Sequence, residues 1–434
     1  MRRRVTCKDT ASHVKRSGRR CAHPAWPPVG QNGRVDPNLV AALGTPEGRG
    51  LVARAGDLLA GGDELATLST LRRETSPELA AAALTQAQLR TKSAAKFGDD
   101  APRLLVLADS LEQASRAEVA AARAATLQRR GVRRVVDAGA GIGADTIALA
   151  RAGIEVTALE RDPTVAAVLR ANIDALELGG MVRVIETDAA AYVAGLSPDV
   201  AVYADPARRA DGRRIFDPEQ AEPPLSWLVA LAERGHPVVA KMSPSLRGEQ
   251  VPTGWEAAWT STPTASGRSV VEASLWSTRL ARHERRAVVL GDCDLEISGA
   301  PDRSLPVGNI STYLYEPDGA VNQAELVGVL AEATGGHLLA PRVGYLTADR
   351  AVDGLPAQRF RVIETLRYSP KLVARALARH DASDLVVKKR AVDVDPHRLR
   401  REWLGKLRAR SGPPLAVIVV RRTADTLAII ARPD

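Results

Sequence analysis

Three glycines, Gly139, Gly141 and Gly143, follow an apolar run and lead into a segment with helical spacing. Glycine lets a strand-to-helix loop turn tightly, and it leaves no Cβ atom to block a ligand. With Ala144, the spacing also satisfies the G-x-G-x-x-(G/A) dinucleotide pattern. Asp137 stands two residues before the first glycine, where a carboxylate attracts a cation and would repel a pyrophosphate. The loop is therefore predicted to bind a nucleoside cofactor with a cationic amino-acid end.

Two further acids fall at the ends of predicted strands. Glu160 ends the second strand, 17 residues beyond Gly143, where a carboxylate can accept hydrogen bonds from both ribose hydroxyls. Asp188 closes the third strand and is suited to the adenine amino group. A dinucleotide site also places an acid at the ribose, so Glu160 indicates nucleoside binding only. Taken with Asp137, these positions favour S-adenosylmethionine (SAM) over a nicotinamide or flavin cofactor, which remains the alternative.

The fourth predicted strand ends at Asp205-Pro206, beside the expected position of the sulfonium methyl group. The carboxylate and a backbone carbonyl can hold a planar exocyclic amine for in-line displacement, and such positioning is most of what a protein supplies. Arg208 and Arg209 can neutralise a substrate phosphate, and Lys241 either contacts substrate phosphate or extends to solvent. Asp205 and Pro206 are the predicted catalytic positions, although an Asp-Pro turn is also common at strand ends that bind nothing.

These residues depend on a strand–helix alternation that begins near Arg133. Short apolar runs alternate with amphipathic segments up to residue 240, which predicts a parallel sheet covered by helices on both faces. Strands near Glu256–Ser261 and Ser269–Ser277 follow without a helix and predict a terminal hairpin. Residues 131–282 are thus the predicted cofactor-binding domain, and the helical spacing over 38–130 predicts a helical lead-in.

A second, small α/β unit is predicted at residues 359–434, after a connecting region at 283–358 that holds a turn at Glu316–Gly319 and a helix near Gln323–Ala333. Its predicted elements are a strand at Phe360–Leu366, a helix at Leu372–His380, a strand at Asp384–Lys389, a helix at Pro396–Ala409, and strands at Ala416–Val420 and Leu427–Ile430.

Charge is unevenly distributed along the chain. Residues 1–35 have a net charge of +8, residues 36–358 of −9, residues 359–422 of +11 and the last twelve of −1. This asymmetry favours a polyanionic partner, although a solvated basic surface has the same composition. The candidate phosphate contacts of the C-terminal unit are Lys388, Lys389, Arg390, Arg398, Arg400 and Arg401.

Several classes of protein are excluded. Residues 1–37 form a basic tail, predicted to be disordered, in which the spacing of Cys7, His13, Cys21 and His23 fits no familiar zinc site. No metal is therefore predicted. No apolar run approaches the roughly 20 residues of a membrane helix, and three cysteines make no disulfide framework. We expect a cytoplasmic protein that does not span a membrane.

The chain resembles the class I SAM-dependent methyltransferases, and more narrowly a bacterial group in which that domain is followed by a THUMP-like domain. The resemblance covers nearly everything from residue 38. It rests on Lys96-Phe97, Leu111-Glu112-Gln113-Ala114-Ser115, Asp137–Asp145, Asp205-Pro206-Ala207-Arg208-Arg209, Phe216-Asp217-Pro218, Pro224-Leu225-Ser226-Trp227, Tyr315-Glu316-Pro317-Asp318-Gly319-Ala320 and Val387-Lys388-Lys389-Arg390.

The resemblance implies a Rossmann-like seven-stranded α/β sheet with its last strand antiparallel, SAM as methyl donor and, because THUMP domains occur in RNA-modifying enzymes, an RNA substrate. The chain departs from the family where relatives have Gly-Cys-Gly instead of Gly139-Ala140-Gly141, and a His in the segment matching Ala120–Arg123. Amine methyltransferases usually place an aromatic ring where Arg208 stands. Here Tyr203, Phe216 and Trp227 can either stack on a base or pack in the core.

The leading hypothesis is a SAM-dependent RNA methyltransferase whose basic C-terminal module holds the nucleic acid by its phosphates. The first alternative is a small-molecule methyltransferase in which that module is a lid or an oligomerisation surface. The second is a non-catalytic RNA-binding protein that keeps the methyltransferase fold. The oligomeric state and the methylated atom are not predicted.

Overall fold

The computed structural model describes residues 36–434, apart from 207–208, 211–212, 215–216, 266, 303, 342 and 423–424, and only the backbone of 209, 210, 213 and 214. Residues 1–35 of the predicted tail, with its Cys and His residues, lie outside the described residues, as do Arg208 and Phe216. The last two residues of that predicted tail are ordered instead, since Asp36 caps the first helix and Pro37 begins it. Among the described residues, no helix is long and apolar enough to cross a membrane. The chain divides into one unit that ends at Thr91 and another from Lys92 to Asp434.

The first unit is helical. Asp36, Thr45 and Asp63 each accept a backbone N–H at a helix N-terminus, and proline occupies the first turn of the first two helices, so local sequence sets these helix starts. The helices are α1 (Pro37–Gly44), α2 (Pro46–Leu59), α3 (Glu64–Glu74) and α4 (Pro77–Phe97), the last of which continues into the second unit.

The second unit begins with α5 (Ala108–Gln113) and α6 (Ala117–Arg129) and then alternates as predicted. The elements that follow are β1 (Arg134–Ala138), α7 (Ala144–Arg151), β2 (Glu155–Glu160), α8 (Pro163–Ala175), β3 (Val182–Glu186), α9 (Ala189–Val193), β4 (Ala201–Ala204), β5 (Arg209–Ala210), β6 (Arg213–Arg214), α10 (Leu225–Glu233), β7 (Val238–Met242), β8 (Glu256–Thr264), β9 (Gly267–Trp276), β10 (Arg285–Val289) and β11 (Leu295–Gly299).

The larger sheet has the strand order β11-β10-β8-β9-β7-β4-β1-β2-β3. Strands β1, β2, β3, β4 and β7 run parallel, whereas β9 is antiparallel to both β7 and β8, which confirms the predicted hairpin and the antiparallel last strand. The sheet has nine strands rather than seven because β10 pairs in parallel with β8 and β11 pairs with β10. These two strands cover an edge of β8 whose backbone groups would otherwise lack partners.

The second sheet contains the predicted C-terminal elements. The elements of this part of the chain are β12 (Tyr313–Pro317), α11 (Gly319–Gln323), α12 (Val327–Thr334), β13 (His337–Leu338), β14 (Leu346–Ala348), β15 (Ala357–Arg367), α13 (Pro370–Leu377), β16 (Leu385–Arg390), α14 (Pro396–Leu404), β17 (Leu415–Arg421) and β18 (Thr426–Pro433). The strand order of the sheet is β13-β14-β12-β15-β18-β17-β16. One face of the sheet packs against α13 and α14 around Trp403, and the other face is buried around Phe360.

The predicted connecting region contributes strands to both sheets. Its β10 and β11 belong to the larger sheet, and its β12 pairs with β15 and β14 in the smaller one. One apolar cluster joins Tyr315 and Leu346 of this region to Trp259 and Leu275 of the larger sheet. The parallel strands β1, β2, β4 and β7 have their carboxyl ends at the same edge of the larger sheet. The predicted site residues follow these strands and therefore lie close together.

Candidate cofactor and acceptor site

The glycine loop has the conformation that its residues require. Gly139, Gly141 and Gly143 all have positive φ, at 95°, 56° and 98°, which is costly for residues with a Cβ atom. A Cβ atom added at Gly139 or Gly141 would project into open space, but at Gly143 it would lie 2.6 Å from Cδ1 of Leu169. The first two glycines therefore leave room for a ligand, whereas the third lets α7 pack closely on α8.

A cavity of about 520 Å³ opens beside this loop. It brings together five of the six predicted cofactor residues, namely Asp137, Gly139, Gly141, Glu160 and Asp188; Gly143 does not line it. Other residues of its wall were not singled out from the sequence as cofactor contacts: Gln113, Ser115, Asp145, Tyr203 and Trp227.

Asp137 is buried at the base of the cavity, with only 1% of its surface exposed. The Thr146 hydroxyl donates a 2.5 Å hydrogen bond to its Oδ2 atom. Burial, followed by the negative charge of Asp145, raises the pKa of Asp137 to about 8, although the Thr146 hydrogen bond favours the carboxylate. A cationic ligand group at this position would stabilise the ionised form.

The Glu160 carboxylate is fixed by the backbone around it. Its Oε2 atom accepts a 3.1 Å hydrogen bond from the Gly141 N–H and its Oε1 atom accepts one of 2.9 Å from the Asp162 N–H. Each oxygen keeps a second lone pair for a hydroxyl group. Asp188 lies two residues beyond β3 and caps α9 through Oδ1, which accepts from the Ala191 N–H at 3.0 Å. Its Oδ2 atom accepts no hydrogen bond from a described residue.

Asp205 follows β4 at the same edge, and its Oδ2 atom accepts a 2.6 Å hydrogen bond from Nζ of Lys241. Lys241 is buried, so in this structure it is the partner of Asp205 and does not extend to solvent. Pro206 is also buried. Arg209 is described only as backbone, in the short β5–β6 hairpin.

A second cavity, of about 490 Å³, shares Gln113, Ala114, Ser115 and Asp205 with the first. Its wall also contains Lys96, whose ammonium group donates hydrogen bonds of 2.7 Å to the carbonyl oxygens of Glu112 and Ala114. Burial, followed by the nearby charges of Lys241 and Arg116, lowers the pKa of Lys96 to about 8. The sequence indicated no functional role for Lys96.

A buried network that sequence reasoning missed lies behind both cavities. The Arg123 guanidinium bridges Asp145 and Glu272, and the Ser115 hydroxyl donates a 2.8 Å hydrogen bond to Asp145. Burial favours neutral acids, but the charges of Arg123 and Lys241 hold the pKa of Asp145 below its usual range, whereas burial raises that of Glu272. The sequence feature that could have revealed this network is Arg123 itself, a single arginine on the apolar face of α6, four residues from both Val119 and Leu127.

The six basic side chains of the C-terminal domain that are predicted to contact phosphate differ in whether they already have a partner in the protein. Lys388 and Arg390 pair with Glu316, Lys389 donates to the Val394 carbonyl, and Arg400 pairs with Asp384. Arg398 and Arg401 lie exposed on α14 and make no ion pair with any described residue.

Comparison with protein families gives three matches. A domain of unknown function matches residues 36–93, the model described as "Putative SAM-dependent methyltransferase" matches 107–206, and a THUMP domain-like model matches 357–433. The crystal structure of a "putative methyltransferase" from Porphyromonas gingivalis has the same fold, with a TM-score of 0.67 and 21% identity over 83% of this chain and 92% of that one.

Two comparisons with curated proteins are informative. A segment of 93 residues is 39% identical to the ribosomal RNA small subunit methyltransferase J of Alkalilimnicola ehrlichii, over 20% of this chain and 35% of that protein. An uncharacterized SAM-dependent methyltransferase of Mycobacterium tuberculosis, recorded from two strains, is 33% identical over 360 residues, which is 80% of this chain and 95% of its own length. The chain therefore belongs to the SAM-dependent methyltransferases, with S-adenosylmethionine as its cofactor and a THUMP-like domain at residues 357–433.

Proposed function

We propose that the chain transfers the methyl group of SAM to RNA, at an acceptor atom held beside Asp205. The observation that carries this proposal is that Asp205 lines both the cofactor cavity and the second cavity. Support for RNA comes from the THUMP-like domain, from the name of the ribosomal RNA methyltransferase that matches in part, and from the basic C-terminal segment. In this proposal residues 131–282 bind SAM and residues 359–434 contact RNA.

The acidic residues that line the cofactor cavity support SAM as its ligand. Asp137 would receive the ammonium group of the methionine end, Glu160 the two ribose hydroxyls, and Asp188 the adenine amino group. The open space at Gly139 and Gly141 lets the backbone of the loop approach the nucleoside. When bound, SAM supplies an activated methyl group on its sulfonium.

The second cavity is the proposed acceptor pocket. Lys241 donates a hydrogen bond to Oδ2 of Asp205, and Oδ1 would accept one from an N–H or O–H group of the methyl acceptor. That hydrogen bond would orient the acceptor so that the lone pair of the acceptor atom points at the methyl carbon. Pro206 stiffens the chain at this point. Because the pocket is a cavity of limited volume, a target nucleotide has to leave its base stack to enter it, as in other enzymes that act on bases.

The C-terminal module would hold RNA by its phosphates, without reading bases. Arg398 and Arg401 of α14 are the foremost candidates, since they are exposed and make no ion pair with a described carboxylate. Lys389 is exposed as well, whereas Lys388, Arg390 and Arg400 already face Glu316 or Asp384 and contribute less net charge.

The decisive experiment is incubation of the full chain with methyl-labelled SAM and total cellular RNA, followed by nucleoside analysis, with Asp205→Asn as the inactive control. We expect label in one modified nucleoside, and none with the variant. Label that enters only the small-molecule fraction would support a small-molecule methyltransferase. SAM binding without any transfer would support a non-catalytic RNA-binding protein.

A further inference from the structure

Tyr203 carries a buried hydroxyl group in the wall of the cofactor cavity. The residue lies on β4, is 1% exposed, and lines the cofactor cavity. Its hydroxyl has no hydrogen-bond partner among the described residues. A buried hydroxyl without a partner destabilises a folded protein, so its presence at a cavity wall points to a ligand.

The position of Tyr203 relative to Asp137 indicates what the hydroxyl could bind. The two residues are directly paired in the register of β4 and β1, and paired residues project from the same face of a sheet with strands about 4.8 Å apart. Asp137 provides a hydrogen-bond acceptor at this point and Tyr203 a donor. An amino-acid zwitterion has the complementary arrangement, an ammonium donor and a carboxylate acceptor separated by one carbon atom.

Burial keeps the Tyr203 hydroxyl a hydrogen-bond donor. Burial raises the pKa of Tyr203 well above its usual value, so the phenol remains protonated. The Arg123 guanidinium lies 5.1 Å from the centre of the Tyr203 ring, where it is paired with Asp145 and Glu272.

We propose that the Tyr203 hydroxyl donates a hydrogen bond to the carboxylate of the methionine moiety of SAM, beside the ammonium group at Asp137. Tyr203 is then a cofactor-binding residue rather than a ring for base stacking. The inference rests on the role proposed above for Asp137 and does not depend on the nature of the methyl acceptor.

The test compares Tyr203→Phe with the unaltered chain by calorimetry, without any acceptor. S-adenosylhomocysteine, which keeps both the ammonium and the carboxylate groups, should bind the variant about tenfold more weakly or worse. Decarboxylated SAM and methylthioadenosine, which lack the carboxylate, should bind both proteins within about twofold. Equal binding of S-adenosylhomocysteine by both proteins, or an equal loss for all three ligands, would overturn the proposal.

Two further measurements separate this inference from the assumptions around it. The midpoint of thermal unfolding of ligand-free Tyr203→Phe should stay the same or rise, because a hydroxyl without a partner has been removed. A clear fall would mean that the hydroxyl is already bonded in the free protein, which contradicts the proposal. If Asp137→Asn weakens the binding of S-adenosylhomocysteine and Tyr203→Phe does not, only the proposed role of Tyr203 is wrong. If Asp137→Asn does not change that binding, the assignment of the ammonium group to Asp137 is wrong, and so is the carboxylate proposal that rests on it.

Discussion

The ammonium nitrogen of Lys241 lies 2.6 Å from the Oδ2 atom of Asp205, a residue that lines both cavities. The side chain of Lys241 is 4% exposed and that of Asp205 24%, so the lysine is enclosed while the carboxylate is partly open to solvent. The lysine therefore restricts the direction of the Asp205 carboxylate.

Replacing Lys241 should impair methyl transfer more than cofactor binding. In Lys241→Gln, the Asp205 carboxylate loses its fixed direction, and we expect kcat to fall about 100-fold, as small misplacements of a positioning group do. The dissociation constant of S-adenosylhomocysteine should change less than about threefold. A loss of cofactor affinity as large as the loss of kcat would assign the ion pair to the cofactor site instead. Arg151→Gln, which breaks an exposed ion pair with Asp100, is the matched control.

The affinity for the cofactor should rise with pH below pH 8. The pKa of Asp137 is about 8 in the free protein because of burial and then Asp145, and a bound ammonium group would lower it. Binding then releases a proton, so affinity for S-adenosylhomocysteine should increase about tenfold per pH unit between pH 6 and 7.5. Calorimetry in two buffers with different ionisation enthalpies measures that proton directly. A flat profile for the unaltered chain, or the same slope in Asp137→Asn, would contradict this.

A glycine outside the cavity provides a control for the loop. Gly141 and Gly153 both have positive φ, and at neither would a Cβ atom contact another residue. Alanine at either position should cost about 1–2 kcal/mol of the free energy of unfolding. Only Gly141→Ala should also abolish binding of S-adenosylhomocysteine, because Gly153 does not line the cavity. If the two variants bind alike, the loop does not contact the nucleoside.

The Arg123 network should be important for stability. Arg123→Met leaves the buried carboxylates of Asp145 and Glu272 without their cation, at an expected cost of about 3–5 kcal/mol in the free energy of unfolding. Arg151→Met should cost about 1 kcal/mol or less, because its ion pair is largely exposed. Adding Asp145→Asn and Glu272→Gln to Arg123→Met removes the unpaired charges, and it should restore much of the lost free energy of unfolding. Urea unfolding measures all three, and no recovery would show that packing dominates.

Binding of RNA should depend on salt through α14. The double variant Arg398→Ala/Arg401→Ala should weaken RNA binding and flatten the plot of log affinity against log salt by about 1.5, since each phosphate contact contributes roughly 0.7–0.9. Arg379→Ala also removes an exposed arginine, but one whose charge is paired with Glu364, and it should leave the slope unchanged. Equal slopes for all three proteins would place the RNA contacts elsewhere.

The parts of the site that the sequence predicted are those set by local rules. A glycine loop after an apolar run and acids at strand ends, such as Asp137 and Glu160, are visible because a strand and the turn after it are short and contiguous. The pairing of Arg123 with Glu272 joins residues 149 positions apart, and no local period reveals it. Similarly, the sequence offered substrate phosphate or solvent as the surroundings of Lys241, and its pairing with Asp205 was not predicted because the carboxylate follows a neighbouring strand.

Strand β12 pairs with β15 across the predicted border at residue 358, and this has a practical consequence for dissecting the protein. A shortened chain that stops there would strip β12 of its neighbour and uncover Leu314 and Tyr345, which are now fully enclosed. If such a fragment misfolds or aggregates, the result does not show which domain binds the substrate. Surface substitutions in the full chain avoid this problem, and a chimeric protein should be joined at a position other than residue 358.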